Sequence, residues 1–327
     1  MEKSLVVGID IGAQSSTLGV VDAKRYILCQ SVITSLQPTL DEYVHDLTAA
    51  IEALIAQAGG KHLIKGIGIG APNANYYKGT IECAANLTWG RDADGNGIYI
   101  DFGKIISEKT GLPVAMTNDA NAAAIGEMTY GAARGMKNFI MITLGTGVGS
   151  GIVVDGKVVY GHDGFAGELG HTISIRNGRQ CSCGLKGCLE AYTSAIGVAR
   201  TAVEWLQRDD TPSLLREVPD GKMSSKEVYD AAKKGDKLAL EIFEFTANLL
   251  GEAFANFIAF SAPEAIILFG GLARSREFIE KPIIESMNRN VVSIWKDKVK
   301  VEFSQLKDSD AAILGASALG WELQHYR

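Results

Sequence analysis

A chain of 327 residues is longer than the roughly 250–300 at which one hydrophobic core stops growing, so two lobes are expected. Hydrophobic residues at 46% and charged residues at 21% describe an ordinary globular protein with no need of a disulfide framework. The net charge of −6 is spread along the chain without a basic run, which argues against a nucleic-acid partner, and no apolar stretch reaches the ~18–20 residues of a bilayer span.

The opening MEKSLVVGIDIG enters a strand at once and lacks signal-peptide anatomy, so a cytoplasmic location and no membrane partner are expected. LVVGIDIG, TLGVVD and YILCQSVI read as three successive strands. LDEYVHDLTAAIEALIAQAGG carries apolar residues at helical spacing and stops on glycine. IKGIGIGAP is the next strand, IDFGKIISEKTGL a helix, PVAMTND a strand with a polar tip, and NAAAIGEMTYGAAR a helix that starts at that tip. The chain from about Ala195 to Phe260 is mostly helical, with a break near DDTPSLLREVPDGK. AIILFGG is a late buried strand whose glycine turn leads into a helix, and DAAILGASALGWELQ is a helix rich in small residues. The alternation is that of an α/β protein.

Shifted by 133 residues, IDIGAQSSTLGVVDAK (Ile9–Lys24) lies on ITLGTGVGSGIVVDGK (Ile142–Lys157). Gly12 meets Gly145, and Val20-Val21-Asp22 meets Val153-Val154-Asp155. Both segments read strand, glycine turn, strand, which favours a duplicated α/β unit. Two such turns facing one cleft would present backbone N–H groups to an anion. Read alone, DIGAQSS is as well explained by a tight turn. TLGTGVGSG and LFGGLARS strengthen the nucleotide reading, since glycine lets a backbone approach a ligand closely. Neither a Walker loop nor a clean dinucleotide fingerprint is present.

Three of the five cysteines fall within eight residues: Cys181, Cys183 and Cys188. With His171 they make a Cys₃His set, the closed tetrahedral shell of structural zinc. The alternative is three unligated thiols in a loop. A redox role is weaker, because no Cys-x-x-Cys is present. About one zinc per chain is expected, stapling the loop and fixing Glu190, His171 and, through GELGH, Glu168. At AMTNDANAAAIGE, Asn118 and Asp119 join a strand to a helix. Either helix capping or a general base, Asp119, at the strand's carboxyl end explains them.

These motifs together resemble the ROK sugar kinases of the actin/hexokinase-like superfamily. The matching stretches are GIDIG (8–12), GIGIGAPN (66–73), NDANAAAIGE (118–127), TLGTGVGSGIVVDGK (143–157), GELGH (167–171), CSCGLKGCLE (181–190) and ILFGG (267–271), nearly the whole chain. C-x-C-G-x-x-G-C-x-E is the most specific of them. The resemblance implies a two-lobed, duplicated ribonuclease H-like fold with the ligand cleft between the lobes. One lobe would hold residues 1–118 and a terminal helix at about 308–327, the other residues 119–307 and the zinc loop.

The resemblance also implies ATP-dependent phosphorylation of a hexose, most simply glucose to glucose 6-phosphate, with Asp119 as base. Asn86, Asn118, Glu168, His171 and Glu190 would bind other sugar hydroxyls, so that His171 serves both metal and sugar. Gly12, Gln14, Thr143, Gly145, Thr146 and Gly147 would hold ATP phosphates, Gly270 and Gly271 would lie near the adenosine, and Asp10 would place Mg²⁺ through water. A homodimer is implied as well. One departure stands out: where the family reads D-I-G-G-T-K, this chain has Asp10-Ile11-Gly12-Ala13-Gln14-Ser15. The competing readings are an N-acetylmannosamine or N-acetylglucosamine kinase, a sugar-binding protein without turnover, and a sugar-responsive regulator. Regulators of this family carry an additional helix-turn-helix domain, for which a first strand beginning by Leu5 leaves no room.

Overall fold

The computed structural model of the protein describes residues 4–84, 86–208, 210–306 and 308–323. In chain order the elements are β1 (Leu5–Ile11), β2 (Ser15–Asp22), β3 (Ile27–Thr34), α1 (Leu40–Gln57), β4 (Ile64–Gly70), β5 (Ala74–Asn75), β6 (Thr80–Glu82) and β7 (Tyr99–Ile100). Then follow α2 (Phe102–Thr110), β8 (Val114–Thr117), α3 (Asp119–Tyr130), β9 (Phe139–Leu144), β10 (Val148–Val154) and β11 (Lys157–Val158). The remainder comprises α4 (Glu190–Thr193), α5 (Ala195–Arg208), α6 (Ser225–Lys233), α7 (Lys237–Ser261), β12 (Ala265–Phe269), α8 (Arg276–Asn290), β13 (Lys300–Phe303) and α9 (Asp308–Glu322).

The chain divides into two compact units. The first gathers the residues up to Met136, Gly156–Gly167 and those from Gln305 onward; the second is Lys137–Asp155 with Glu168–Ser304. In the first, the strands run β3-β2-β1-β4-β8, with β1 and β2 antiparallel and β1, β4 and β8 parallel. In the second, β10, β9, β12 and β13 lie side by side, with β9 and β10 antiparallel and β9, β12 and β13 parallel. The series β2-β1-β4-β8 and β10-β9-β12-β13 therefore agree in order and direction, as the 133-residue repeat leads one to expect.

Local sequence accounts for most elements. Thr39 and Glu42 form a reciprocal capping box at the start of α1, whose apolar Tyr43, Leu47, Ile51 and Leu54 recur every three or four residues and are buried against the first sheet. Strands β1, β4 and β12 are buried on both faces, as expected of central strands covered by helices. Helix α9 reaches the first sheet so closely that Gly68 faces the Ala316 carbonyl and Gly8 that of Ile313, with no room for a Cβ at either position. It meets α3 in the same manner, through Gly315 and Gly126.

The expected division placed residues 119–307 together in one lobe. Residues 119–136 pack with α9 in the first unit, because the crossing of α3 and α9 relies on glycine and alanine rather than on large side chains that sequence patterning would reveal. The segment 156–167 likewise belongs to the first unit. A small sheet, β5-β6-β7, was not foreseen, since strands of two or three residues leave no periodic signal. Among the described residues no helix is long and apolar enough to cross a membrane.

Candidate active site

In the first unit, neighbouring strands place Asp10 of β1 opposite Gly70 of β4, and Gly70 opposite Thr117 of β8. The carboxyl ends of these strands share one edge, where open α/β sheets bind ligands. Gly70 is the gap in this row: a Cβ there would lie 3.6 Å from Asp10 Oδ1 and 3.7 Å from the Asp119 Cα. Asn118 is the cap, its Oδ1 accepting the Asn121 N–H at 2.7 Å, which leaves its amide NH₂ as a donor. Asp119 is the first helical residue, and its Oδ1 accepts the Ala120 N–H at 2.8 Å.

Surrounding protein pushes the Asp119 pKa above the ordinary value of 3.8, opposed by the N–H groups of Ala120 and of Asp119 itself. Asp10 is pushed up to about 7, first by burial and then by the charge of Asp119. Asp119 nevertheless keeps an exposed face and Asp10 a partly exposed one, so water screens part of both effects. Asn86 lies exposed in the loop between β6 and β7.

The β1–β2 turn is closed by the Gly12 N–H donating to the Ser15 carbonyl at 3.0 Å. Among the described residues, the N–H groups of Ala13 and Gln14 have no acceptor in the chain. The β9–β10 turn of the second unit is closed by Gly145 N–H to Gly147 C=O at 3.0 Å, and here the N–H groups of Thr146 and Gly147 are the ones without an acceptor. Thr143 Oγ1 accepts the Gly149 N–H at 3.1 Å. Phe269 pairs with Thr143, and Gly270 follows at φ +103°, its Cα side against the Leu144 carbonyl, so the Gly270-Gly271 turn opens on the same sheet edge as the β9–β10 turn.

Glu190 ties that turn to the cysteine loop. Its Oε2 accepts the Val148 N–H at 2.9 Å and its Oε1 the Ser182 hydroxyl at 3.2 Å, with Cys181 Sγ at 3.7 Å. A Cβ on Gly147 would stand 2.5 Å from Glu190 Oε2, so the carboxylate fits only because residue 147 is glycine. Glu168 is exposed; its carbonyl accepts the His171 N–H at 3.1 Å in the short turn Leu169–His171, and Leu169 N–H is held by Ser150 Oγ at 3.1 Å.

The ligand atoms of His171, Cys181, Cys183 and Cys188 all lie within 4.8 Å of one another. His171 Nδ1 is 3.7 Å from Cys181 Sγ, and the sulfurs of Cys183 and Cys188 are 3.6 Å apart. Four tetrahedral donors at zinc-type bond lengths would be separated by about 3.5–3.8 Å, so the residues fit such an ion, whereas that sulfur pair is too far apart for a disulfide. Without a cation, burial and the neighbouring thiols push Cys188 up to about 12, which is the state a metal would relieve. Nδ1 is the nitrogen turned to the sulfurs, leaving Nε2 of the same ring for another partner. Behind the loop, Tyr192 braces the fold: its hydroxyl accepts the Arg179 N–H at 2.7 Å and its ring lies 4.4 Å from the guanidinium.

Sequence reasoning missed three residues that shape this arrangement: Gly70, Ser182 and Ser150. Gly70 left a trace in the alternating glycines of IKGIGIG, whereas the two serines act through contacts across 8 and 19 residues that no local pattern records.

The ROK family model matches residues 6–322. The glucokinase of Halalkalibacterium halodurans is 34% identical over 322 residues, covering 96% of this chain and 93% of that protein. A crystal structure of a ROK family glucokinase from Streptomyces griseus in complex with glucose and AMPPNP aligns with a TM-score of 0.80 at 31% identity, covering 97% of this chain and 99% of that one. The xylose repressor of Bacillus subtilis is 28% identical over 327 residues, covering 96% of this chain and 76% of the repressor. With its motifs in family order and its strands duplicated in order and direction, the chain has the actin/hexokinase-like fold and belongs to the ROK family.

Proposed function

We propose that the acceptor of this ATP-dependent sugar kinase is a hexose, glucose in the first instance, phosphorylated on its 6-hydroxyl. The observation that carries the reading is the placement of Asp119, solvent-facing and raised in pKa at the β8–α3 junction while Asn118 does the capping. As the sugar O6 attacks the γ-phosphorus, its proton passes to Asp119; the bond from that phosphorus to the β–γ bridging oxygen breaks and ADP leaves. Asn118 donates from its amide to a neighbouring hydroxyl, and Glu168, His171 through Nε2, Glu190 and Asn86 hold the others. A buried partner left unpaired by a missing hydroxyl makes such a set selective.

The free N–H pairs at Ala13-Gln14 and Thr146-Gly147 receive phosphate oxygens, within turns that include Gly12, Gln14, Thr143 and Gly145, while Gly270 and Gly271 lie against the adenosine. Asp10 and Asp119, two carboxylates flanking Gly70, are suited to a cation, and Mg²⁺ held through water by Asp10 would neutralise charge on the phosphates. Zinc fits the set His171, Cys181, Cys183 and Cys188, which leaves no open position and so makes the ion structural.

Release of ADP is measured with Mg-ATP and glucose, mannose, fructose, N-acetylmannosamine and N-acetylglucosamine, with Asp119→Asn as control. Turnover on glucose that the variant abolishes is the expected result. Preference for an N-acetyl sugar would move the acceptor to that class. A second reading, a sugar-binding sensor, is favoured by one feature, Ala13-Gln14-Ser15 in place of G-T-K. Sugar binding without turnover in folded, zinc-replete protein would select it.

A further inference from the structure

The segment 156–167 leads from β10 to Glu168, and it is fastened to the first unit by side chains with no role in the scheme above. Tyr160 stacks on Tyr76 with ring centroids 3.7 Å apart and planes 7° from parallel. Tyr160 and Val158 pack on Ala115, Ile125, Ala318 and Leu319. The Tyr77 hydroxyl donates to the Gly161 carbonyl at 3.0 Å. The fully buried Asn75 donates from Nδ2 to the Asp163 carbonyl at 2.6 Å, while its Oδ1 accepts the N–H groups of Tyr77 at 3.0 Å and Lys78 at 3.2 Å. Gly164 lies against that amide: a Cβ there would be 2.7 Å from Asn75 Oδ1. The loop also closes on itself through Ala166 N–H to Tyr160 C=O at 3.1 Å. Two residues after Ala166 stands the exposed Glu168.

Ordering a loop of this length costs conformational entropy, and a connection between two elements needs no buried amide or stacked rings to make it. Here the fastened segment leads directly to an exposed carboxylate, and Tyr160 packs on the cluster that includes Ala115 of β8, the strand that leads to Asp119. We propose that Asn75 and Tyr160 are positioning residues for sugar binding: they hold the 160–167 loop in one conformation and so fix the point from which Glu168 reaches the sugar. The inference rests on the reading of Glu168 as a sugar ligand.

A double-mutant cycle of Asn75→Ala with Glu168→Gln tests it, read as KM for sugar, KM for ATP and sugar affinity by calorimetry. Asn75→Ala removes three side-chain hydrogen bonds, one of them to the loop, and should raise the sugar KM about tenfold, the worth of that one, with the ATP KM changed less than about twofold. In the Glu168→Gln background the same change should add less than about twofold, because its effect runs through Glu168. Amide exchange should quicken in residues 160–168 and stay slow in β1 and β4. Tyr77→Phe, a milder change at a half-exposed ring, should move the sugar KM in the same direction and serves if Asn75→Ala fails to fold. Full additivity in the cycle, an equal rise in both KM values, or an unchanged sugar KM would overturn the proposal. If Glu168→Gln alone leaves the sugar KM unaltered, the ligand reading of Glu168 fails and the inference falls with it; the kinase reading is then still judged separately, by Asp119→Asn.

Discussion

The β1–β2 and β9–β10 hairpins share a backbone plan but differ in chemistry. Each ends in a short glycine turn with two N–H groups turned to solvent, Ala13-Gln14 in one and Thr146-Gly147 in the other. The 133-residue shift that matches the turns also matches Asp10 with Thr143. Thr143 is satisfied within its own hairpin by the Gly149 N–H, whereas Asp10 is a carboxylate pushed up to about 7 beside a second carboxylate. The two turns share a backbone plan, and the costly charge stands beside only one of them. Backbone donors survive changes of side chain, so the proposed phosphate contacts at Ala13-Gln14 do not require G-T-K.

The sharpest break in that symmetry should come from the carboxylates. Asp119→Asn should lower kcat by about 10²–10⁴-fold. The wild-type acid limb of kcat should lie above the ordinary carboxylate range, since the base must be ionised and its pKa is raised. Asp10→Asn should cut turnover and yet raise the melting temperature by about 2 °C or more. The sign follows from linkage: a folded pKa above 3.8 costs stability at neutral and higher pH, and the cost fades as pH falls toward 4. Thr143→Val in the matching position should do the opposite, destabilising by about 1 kcal/mol by orphaning the Gly149 N–H.

Next in size is the metal. Cys181→Ser or exhaustive chelation should remove about one zinc per chain and raise the sugar KM by about 10–100-fold, because Glu190 and His171 lose their mount, with a smaller change for ATP. Gly147→Ala should follow at about tenfold or more in kcat/KM for the sugar, by pushing Glu190 Oε2 aside; Gly12→Ala, whose Cβ would stand 2.9 Å from the Ser15 carbonyl, should act on ATP instead. If both substitutions shift the same substrate, the hairpins do not have separate duties. The smallest effect is expected from Ala13→Gly with Ser15→Lys, which should lower the ATP KM by at most about fivefold, the worth of one exposed charge contact. An unchanged or raised value would mean that the turn already suits its donor.

Much of this was legible from the chain. Apolar runs ending in glycine located β1, β4, β9 and β12, and the spacing of His171, Cys181, Cys183 and Cys188 announced a metal set before any coordinates. Local rules could not say whether Asn118 or Asp119 caps α3, because both residue types cap well; the backbone register decides it. The pairing of Glu190 with the Val148 N–H and the seat of Asn75 under Asp163 were beyond reach for another reason. They join residues 42 and 88 positions apart through single side chains, and leave no periodicity to read.

The close seating of α9 on Gly8 and Gly68 has a consequence for biosynthesis. The first unit cannot finish its sheet covering until residues 308–322 leave the ribosome, whereas every strand and helix of the second unit has been translated by Ser304. Emergence from the N-terminus would usually let the leading part fold first. Here the leading strands must wait, with one apolar face open, for α9 to be made, an interval in which exposed apolar surface invites chaperones and aggregation.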